Sequence, residues 1–559
     1  MTSGQCHFAE TLREAFLRYC LDSSAPAVRE IAHAREPICL SRGELLQRAT
    51  DAAVCLRSGG IKKGDHVLLS LQTDASFVRW FWATQMLGAI AVPIEPLMSL
   101  SRKPAQIRFV RKLASLAGTT CALVASPSST CFPEDVPELR IITDTPLSYD
   151  DGTRASLPEP HLYPNDTALI QYSSGSTGDP KGCVLSHRAV CRNARAWIEA
   201  FDYKRGEATL NWMPLFHDFG LMLSVIAPII GQLSCILLRT RAFVSDPAAW
   251  LRGMTGCGPV HTAASASALE LVHVRNRHKS AASFDLSDVR SIICAAEPIQ
   301  PDVVERFLQL GRRYGLSPRS FYAGYGMSET TVMAAAKRGL TVDRVHRDSG
   351  RQTGALQIPT TDPDHVAQYV SLGPAAPGTE FQIVDDQGIS LPERCMGHLV
   401  LRSESLMDGY LKDPQATAAV LHDGWLKTGD IGYLADAEFH FVARQKDLIV
   451  IGGQKIVPAD IDVAVGMALE IPIQRVASFG FAGSGATEAI GIAIETRDSN
   501  PMHFEGAVRA ACYEQTGFQP ALIVACPIGT IPKTSSGKKR RAAVRMTVVN
   551  SSDTTVITS

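Results

Sequence analysis

The residues best equipped for chemistry lie in one run, ALIQYSSGSTGDPKG, where a strand-like segment ending at Tyr172 enters a loop of small and hydroxylated residues closed by Lys181. Ser173, Ser174, Ser176 and Thr177 offer hydroxyl donors, while Gly175 and Gly178 let backbone N–H groups approach an anion closely. A loop of this kind can wrap a polyphosphate. It is not a Walker loop, because the order G-x-x-x-x-G-K-[ST] is missing, and ordinary P-loop nucleotide hydrolases are therefore disfavoured. DFG at Asp218 to Gly220 and HRD at His346 to Asp348 imitate a protein kinase, but in reversed order and without a G-x-G-x-x-G loop. The fourteen cysteines are scattered, with no C-x-x-C pair, which argues against a disulfide scaffold and a structural zinc site.

The loop needs elements to hold it. At 559 residues and 45% hydrophobic content, the chain is too long for one core and should divide into domains. Val67 to Leu71, Ala75 to Leu87 and Ile90 to Val92 read as a β-α-β unit. Leu123 to Ala125, Ile141 to Thr143, Ala168 to Tyr172 and Ser291 to Cys294 read as further core strands, which predicts an α/β body with a largely parallel sheet. The stretch 337–368 is polar and rich in breakers, as an inserted surface element would be. From about 370 to 443, alternation between turn residues predicts a mainly antiparallel subdomain. The charged stretch Arg444 to Asp447 then marks the expected boundary between an N-terminal domain, 1–443, and a small α+β C-terminal domain, 444–559.

Composition limits the partners. Lysine plus arginine (55) balances aspartate plus glutamate (56), so no overall field favours nucleic acid or an anionic membrane. The N-terminal residues carry Glu10, Arg13, Glu14 and Arg18 where a secretory signal would be apolar, and a cytoplasmic location is expected. Phe219 to Leu238 carries no charge and has the length of a membrane span. Pro228, Gly231 and Gln232 interrupt it, which predicts instead a buried helix ending near Pro228, a turn, and a strand around Ile236 to Leu238.

Beside YSSGSTGDPKG, the motifs PLFHDFG, AAEP, YGMSETT, GWLKTGD, RQKDLIVIGG and PKTSSGK occur in order along almost the whole chain. Together they resemble the adenylate-forming, acyl-activating enzymes. Within that superfamily the chain is most similar to the fatty-acyl-AMP ligases, through PLFHDFGLM, FDLSDVRSIICAAEPIQPDVVERF and the insert between Glu329 and Gly373. The resemblance implies a large multi-subdomain body with a mobile C-terminal lid, ATP and Mg²⁺ as cofactors, a fatty or other carboxylic acid as substrate, and an acyl carrier protein as partner. On matching positions it implies that Ala296, Glu297, Ala323, Gly324, Tyr325, Gly326, Met327 and Ser328 surround the nucleotide, with the Tyr325 ring on the adenine. Asp430 is expected at the ribose hydroxyls with Arg444 beside it, and Glu329 as a Mg²⁺ ligand. His217 is expected beside the attacking carboxylate. Lys538 is expected to bridge acid and α-phosphate, with Lys539 as the alternative register, and Lys446 to serve as hinge.

The reaction so implied has two steps: the carboxylate attacks the α-phosphate of ATP and releases pyrophosphate, and a phosphopantetheine thiol then takes the acyl group. Leu221 to Ile230 and HTAASASALE from His261 are candidates to line an acyl pocket. Cys294-Ala295 before AEP, Gln454-Lys455-Ile456 after IGG, and Met213 before PLFHD depart from the usual fatty-acyl-AMP ligase pattern. An acyl-CoA synthetase is the same-class alternative; a catalytically silent acid- or carrier-binding homologue is the alternative of another class. Pathway, acid chain length and oligomeric state are not legible.

Overall fold

The computed structural model describes residues 9–31, 37–96, 103–117, 121–125, 139–144, 159–172, 181–280, 283–346, 355–357, 366–452, 454–482, 488–497, 501–533, 539–549 and 555–558. Two large sheets dominate. One runs in the order Met333–Arg338, Phe321–Gly326, Val289–Cys294, Val260–Ala264, Ala208–Asn211, Ser234–Leu238, Pro26–Ile31 and Ile38–Ser41. Its inner pairings are parallel and only the outer pairing at each edge is antiparallel. The other runs Gly409–Tyr410, Gly182–Ser186, Thr167–Tyr172, Ile90–Pro93, His66–Ser70, Cys121–Ala125 and Leu139–Thr143. It is parallel except at its Gly409 end. The expected α/β body is present, and each strand read from the sequence is found with its ends moved by at most two residues.

Helix Ala75–Leu87 shows why the layers hold. Asp74 caps its first turn by accepting from the N–H groups of Ser76 and Phe77, and Gly88 closes it in the left-handed conformation. Phe77, Trp80, Phe81 and Trp82 are all fully buried, in one cluster with Val67 and Leu69 of one sheet and Ile292 and Ile293 of the other. Each such side chain stabilises the fold by about 2–3 kcal/mol.

One expectation fails in the apolar run. The helix does not end near Pro228: Asp218–Leu221 continues through a π-helical turn, Met222–Ile226, into Ala227–Gly231, and Gln232 closes it with φ of 62°. Proline lacks an N–H and crowds the carbonyl four residues back. The wider turn just upstream re-spaces those carbonyls, so the helix passes the proline. Strand Ser234–Leu238 follows as expected.

The segment expected to be antiparallel is so: Thr379–Val384, Gly397–Ser403, Trp425–Ala435 and Glu438–Arg444 pair in succession, with Leu421–His422 on Trp425–Ala435. Val342–His346 and Val366–Val370 form a separate two-stranded pair. From Ile449 onward, a short hairpin, helices Pro458–Ala468, Glu505–Thr516 and Arg541–Val549, and the sheet Val476–Ala482, Glu488–Glu495, Leu522–Cys526 and Thr555–Thr558 build their own apolar clusters. No helix among the described residues is long and apolar enough to cross a membrane.

Candidate active site

Parallel strands deliver residues at their C-terminal ends, where open α/β sheets bind ligands. Strand Val289–Cys294 leads into Ala296 and Glu297, and Phe321–Gly326 carries Gly324 and Tyr325. These residues wall a cavity of about 870 Å³, counted out to its open mouth, together with Asp430, Arg444, Gln368, Tyr369, and Ala459 and Asp460 of helix Pro458–Ala468. Ala296 stands at φ of 75°, a strained left-handed conformation of the kind that gathers at ligand sites. Gly326 has a steric reason: a Cβ there would lie 1.6 Å from the Val332 carbonyl oxygen.

The antiparallel register places Asp430 directly across from Arg444. The hydroxyl of Tyr325 donates to Asp430 Oδ2 at 2.7 Å, and Arg444 Nε lies 3.3 Å from Oδ1. Asp430 is almost fully buried, yet Oδ1 and Arg444 Nε make no hydrogen bond among the described residues. Buried polar atoms without partners are costly. A ribose hydroxyl would donate to Oδ1, so the residues fit a nucleotide. Burial first, then the Asp430 charge, pushes the Tyr325 hydroxyl well above 10 and keeps it a donor. Burial works against the Arg444 charge, but Asp430 and Tyr325 outweigh it and raise its pKa further.

A second group lies around His217. Its Nδ1 is 2.6 Å from Asp218 Oδ1, and Asp218 Oδ2 accepts from the Ser328 hydroxyl at 2.5 Å. Burial alone would lower the His217 pKa; the Asp218 carboxylate reverses that and holds it above 6.5. The same contact, against burial, keeps Asp218 below 3.8. Nδ1 faces both the Asp218 carboxylate and the Phe219 N–H, which lies 3.3 Å away, so Nε2 is the nitrogen left for a ligand. Glu329 follows Ser328 in a tight turn, and its Oε1 accepts from the Tyr410 hydroxyl at 2.8 Å. Buried Asn193 fixes that turn by donating to the Thr330 and Met333 carbonyls and accepting from the Met333 N–H. The Lys181 ammonium sits 4.8 Å from the centre of the Tyr410 ring. Glu329 offers the hard oxygen that Mg²⁺ prefers, and no group of three metal-ligating side chains exists among the described residues. An ion held here would complete its shell with phosphate oxygens and water.

The family described as AMP-binding enzyme matches residues 23–411, well over half of the sequence. The chain belongs to this family. Among relatives of this AMP-binding enzyme, a Caulobacter vibrioides protein provisionally named acyl-CoA synthetase is 32% identical over 75% of this chain and 76% of its own. Long-chain-fatty-acid–AMP ligase FadD26 of Mycobacterium bovis is 27% identical over 90% of each chain. A solved structure from studies of fatty acyl-adenylate ligases of E. coli and L. pneumophila superimposes with a TM-score of 0.86 at 30% identity, covering 96% of this chain and 97% of that one.

Of the residues singled out in the sequence of this AMP-binding enzyme, Ala296, Glu297, Gly324, Tyr325, Gly326, Asp430 and Arg444 share the cavity. Ala323 is fully buried and does not wall it, while His217, Ser328 and Glu329 form the second group. Met327 packs against the main core. Lys446 lies in the short turn Gln445–Asp447, which follows Arg444. Ser173, Ser174, Gly175, Ser176, Thr177, Gly178 and Lys538 lie outside the described residues. The Lys539 ammonium is buried on Asp462 Oδ2 at 2.7 Å and on the Ile473 and Val476 carbonyls. Burial lowers its pKa to about 8, with Asp462 opposing. The Tyr325 ring packs 4.9 Å from Phe439, so much of its surface is already covered. Leu221 to Ile229 and the small residues after His261 belong to the main core. Sequence reasoning missed Asp218, Asn193 and Tyr410. Asp218 stands beside the predicted histidine within PLFHDFG, where the motif alone assigns it no role; nothing local marks the other two.

Proposed function

We propose that the chain converts a fatty acid and ATP into acyl-AMP and pyrophosphate, then passes the acyl group to the phosphopantetheine thiol of an acyl carrier protein. The observation that carries the first step is the buried, incompletely bonded Asp430–Arg444 pair at a cavity closed by Tyr325. The fatty acid is supported by FadD26 and by the fatty acyl-adenylate ligase structure. The acyl-CoA synthetase reading draws on the Caulobacter relative.

In the first step a carboxylate oxygen bonds to the α-phosphorus as the bond to the bridging oxygen breaks and pyrophosphate leaves. Asp430 and Arg444 hold the ribose end, Tyr325 completes the wall, and Lys181 meets the phosphates with Ser173, Ser174, Gly175, Ser176, Thr177 and Gly178 of its loop. Glu329 would hold Mg²⁺, which supplies charge neutralisation on the phosphates. His217, oriented by Asp218, presents a donor to the acid. Lys538 bridges acid and α-phosphate. In the second step the thiolate sulfur bonds to the acyl carbon and AMP leaves. Residues from 444 onward act as a lid that turns about Lys446 between the steps, and 337–368 is an insertion that disfavours CoA. Fatty-acid-dependent exchange of labelled pyrophosphate into ATP tests adenylation directly. Exchange is expected in the wild type and lost in Asp430→Ala; no exchange with any fatty acid would contradict the reading.

A further inference from the structure

Lys181 and Glu329 come from different motifs and carry opposite charges, and both are expected at the phosphates. Tyr410 meets each of them separately: its hydroxyl donates to Glu329 Oε1 at 2.8 Å, and its ring lies 4.8 Å from the Lys181 ammonium. The segment around it is tied to both motifs. The Met407 N–H donates to the Glu329 carbonyl, the Asp408 N–H to Val184 and the Leu411 N–H to Gly182. Gly409–Tyr410 thereby adds an edge to the strand that leaves the phosphate loop. The Tyr410 N–H donates to Thr417 Oγ1 at 2.9 Å, and Gly409 has φ of 152° with Thr417 where a side chain would stand.

We infer that Tyr410 is a positioning residue that orients the Glu329 carboxylate, expected to bind Mg²⁺, and the Lys181 ammonium, expected at the phosphates, toward one polyphosphate. The inference rests on the nucleotide reading above. A hydroxyl-to-carboxylate bond orients Glu329, and the aromatic face packs against the Lys181 cation. The two halves separate chemically: Tyr410→Phe keeps the face and removes the hydroxyl, whereas Tyr410→Leu removes both.

The test is calorimetric binding of an ATP analogue with a methylene group between its α- and β-phosphates, at a series of Mg²⁺ concentrations and in a chelator, with AMP as control. Tyr410→Phe is expected to need about tenfold more Mg²⁺ for half-maximal gain in analogue affinity, with chelator and AMP affinities as in the wild type. Tyr410→Leu is expected also to lose analogue affinity severalfold in the chelator. A Tyr410→Phe protein with wild-type Mg²⁺ dependence, or one that loses AMP affinity equally, overturns the inference and leaves the nucleotide reading standing. A wild type that binds neither analogue nor AMP overturns both.

Discussion

Asp430 and Lys539 show what a side chain's surroundings add to its type. Asp430 keeps a buried oxygen without a hydrogen bond at a cavity, so Asp430→Asn is expected to weaken AMP binding about tenfold or more, as calorimetry would read. Lys539 has no such freedom. With Asp462 and Arg541 it forms a buried cluster at 2.6–2.7 Å, and Lys539→Ala is expected to destabilise the fold by about 3 kcal/mol, because it leaves Asp462 short of a partner. Lys538→Ala should instead keep stability and ATP binding but lose most pyrophosphate release. Asp74 gives a pH signature. Burial, then Glu30, raises its pKa from 3.8 to about 6, with Arg239 opposing. The folded state therefore binds more protons than the unfolded state between about pH 4 and 6, and stability falls as pH rises through that window. Asp74→Asn keeps the cap and removes the charge, so it should be more stable than wild type by about 1 kcal/mol at pH 7 and no more stable below pH 4.

At the scale of elements, the apolar pattern made helix Ala75–Leu87 legible, and the Asp74 cap and Gly88 terminator that fix its ends are likewise local. The passage of a helix through Pro228 was not legible, since it depends on how the preceding carbonyls are re-spaced. Register was equally hidden: the motifs containing Asp430 and Arg444 could be read separately, but their direct pairing is a property of the hairpin. The same holds for Asn193 and Tyr410, whose partners lie more than 80 residues away. Val342–His346 is pinned by the bidentate contact of Arg394 on Asp343 and by the Tyr433 hydroxyl. His346 pairs directly with Val366, so an Asn-Gly turn can replace 347–365 and close the hairpin. If the insertion disfavours CoA, that variant should form acyl-CoA at least severalfold faster; an unchanged rate in a folded variant rejects its role.

The whole molecule joins these scales at one cavity. Its wall takes residues from both sides of Arg444, from Ala296 and Tyr325 to Asp460, and also from the strand Val366–Val370. A nucleotide touching all of them would favour the arrangement in which they meet. On the proposed function, formation of acyl-AMP and its delivery to an acceptor would use different arrangements of one chain. The most direct measurement is mass spectrometry of the products from Mg²⁺, ATP and a series of fatty acids, with CoA or with a phosphopantetheine-bearing carrier protein. Acyl-AMP that persists with CoA and is consumed by the carrier is the predicted result; rapid conversion to acyl-CoA, or no acyl-AMP from any fatty acid, would contradict the account.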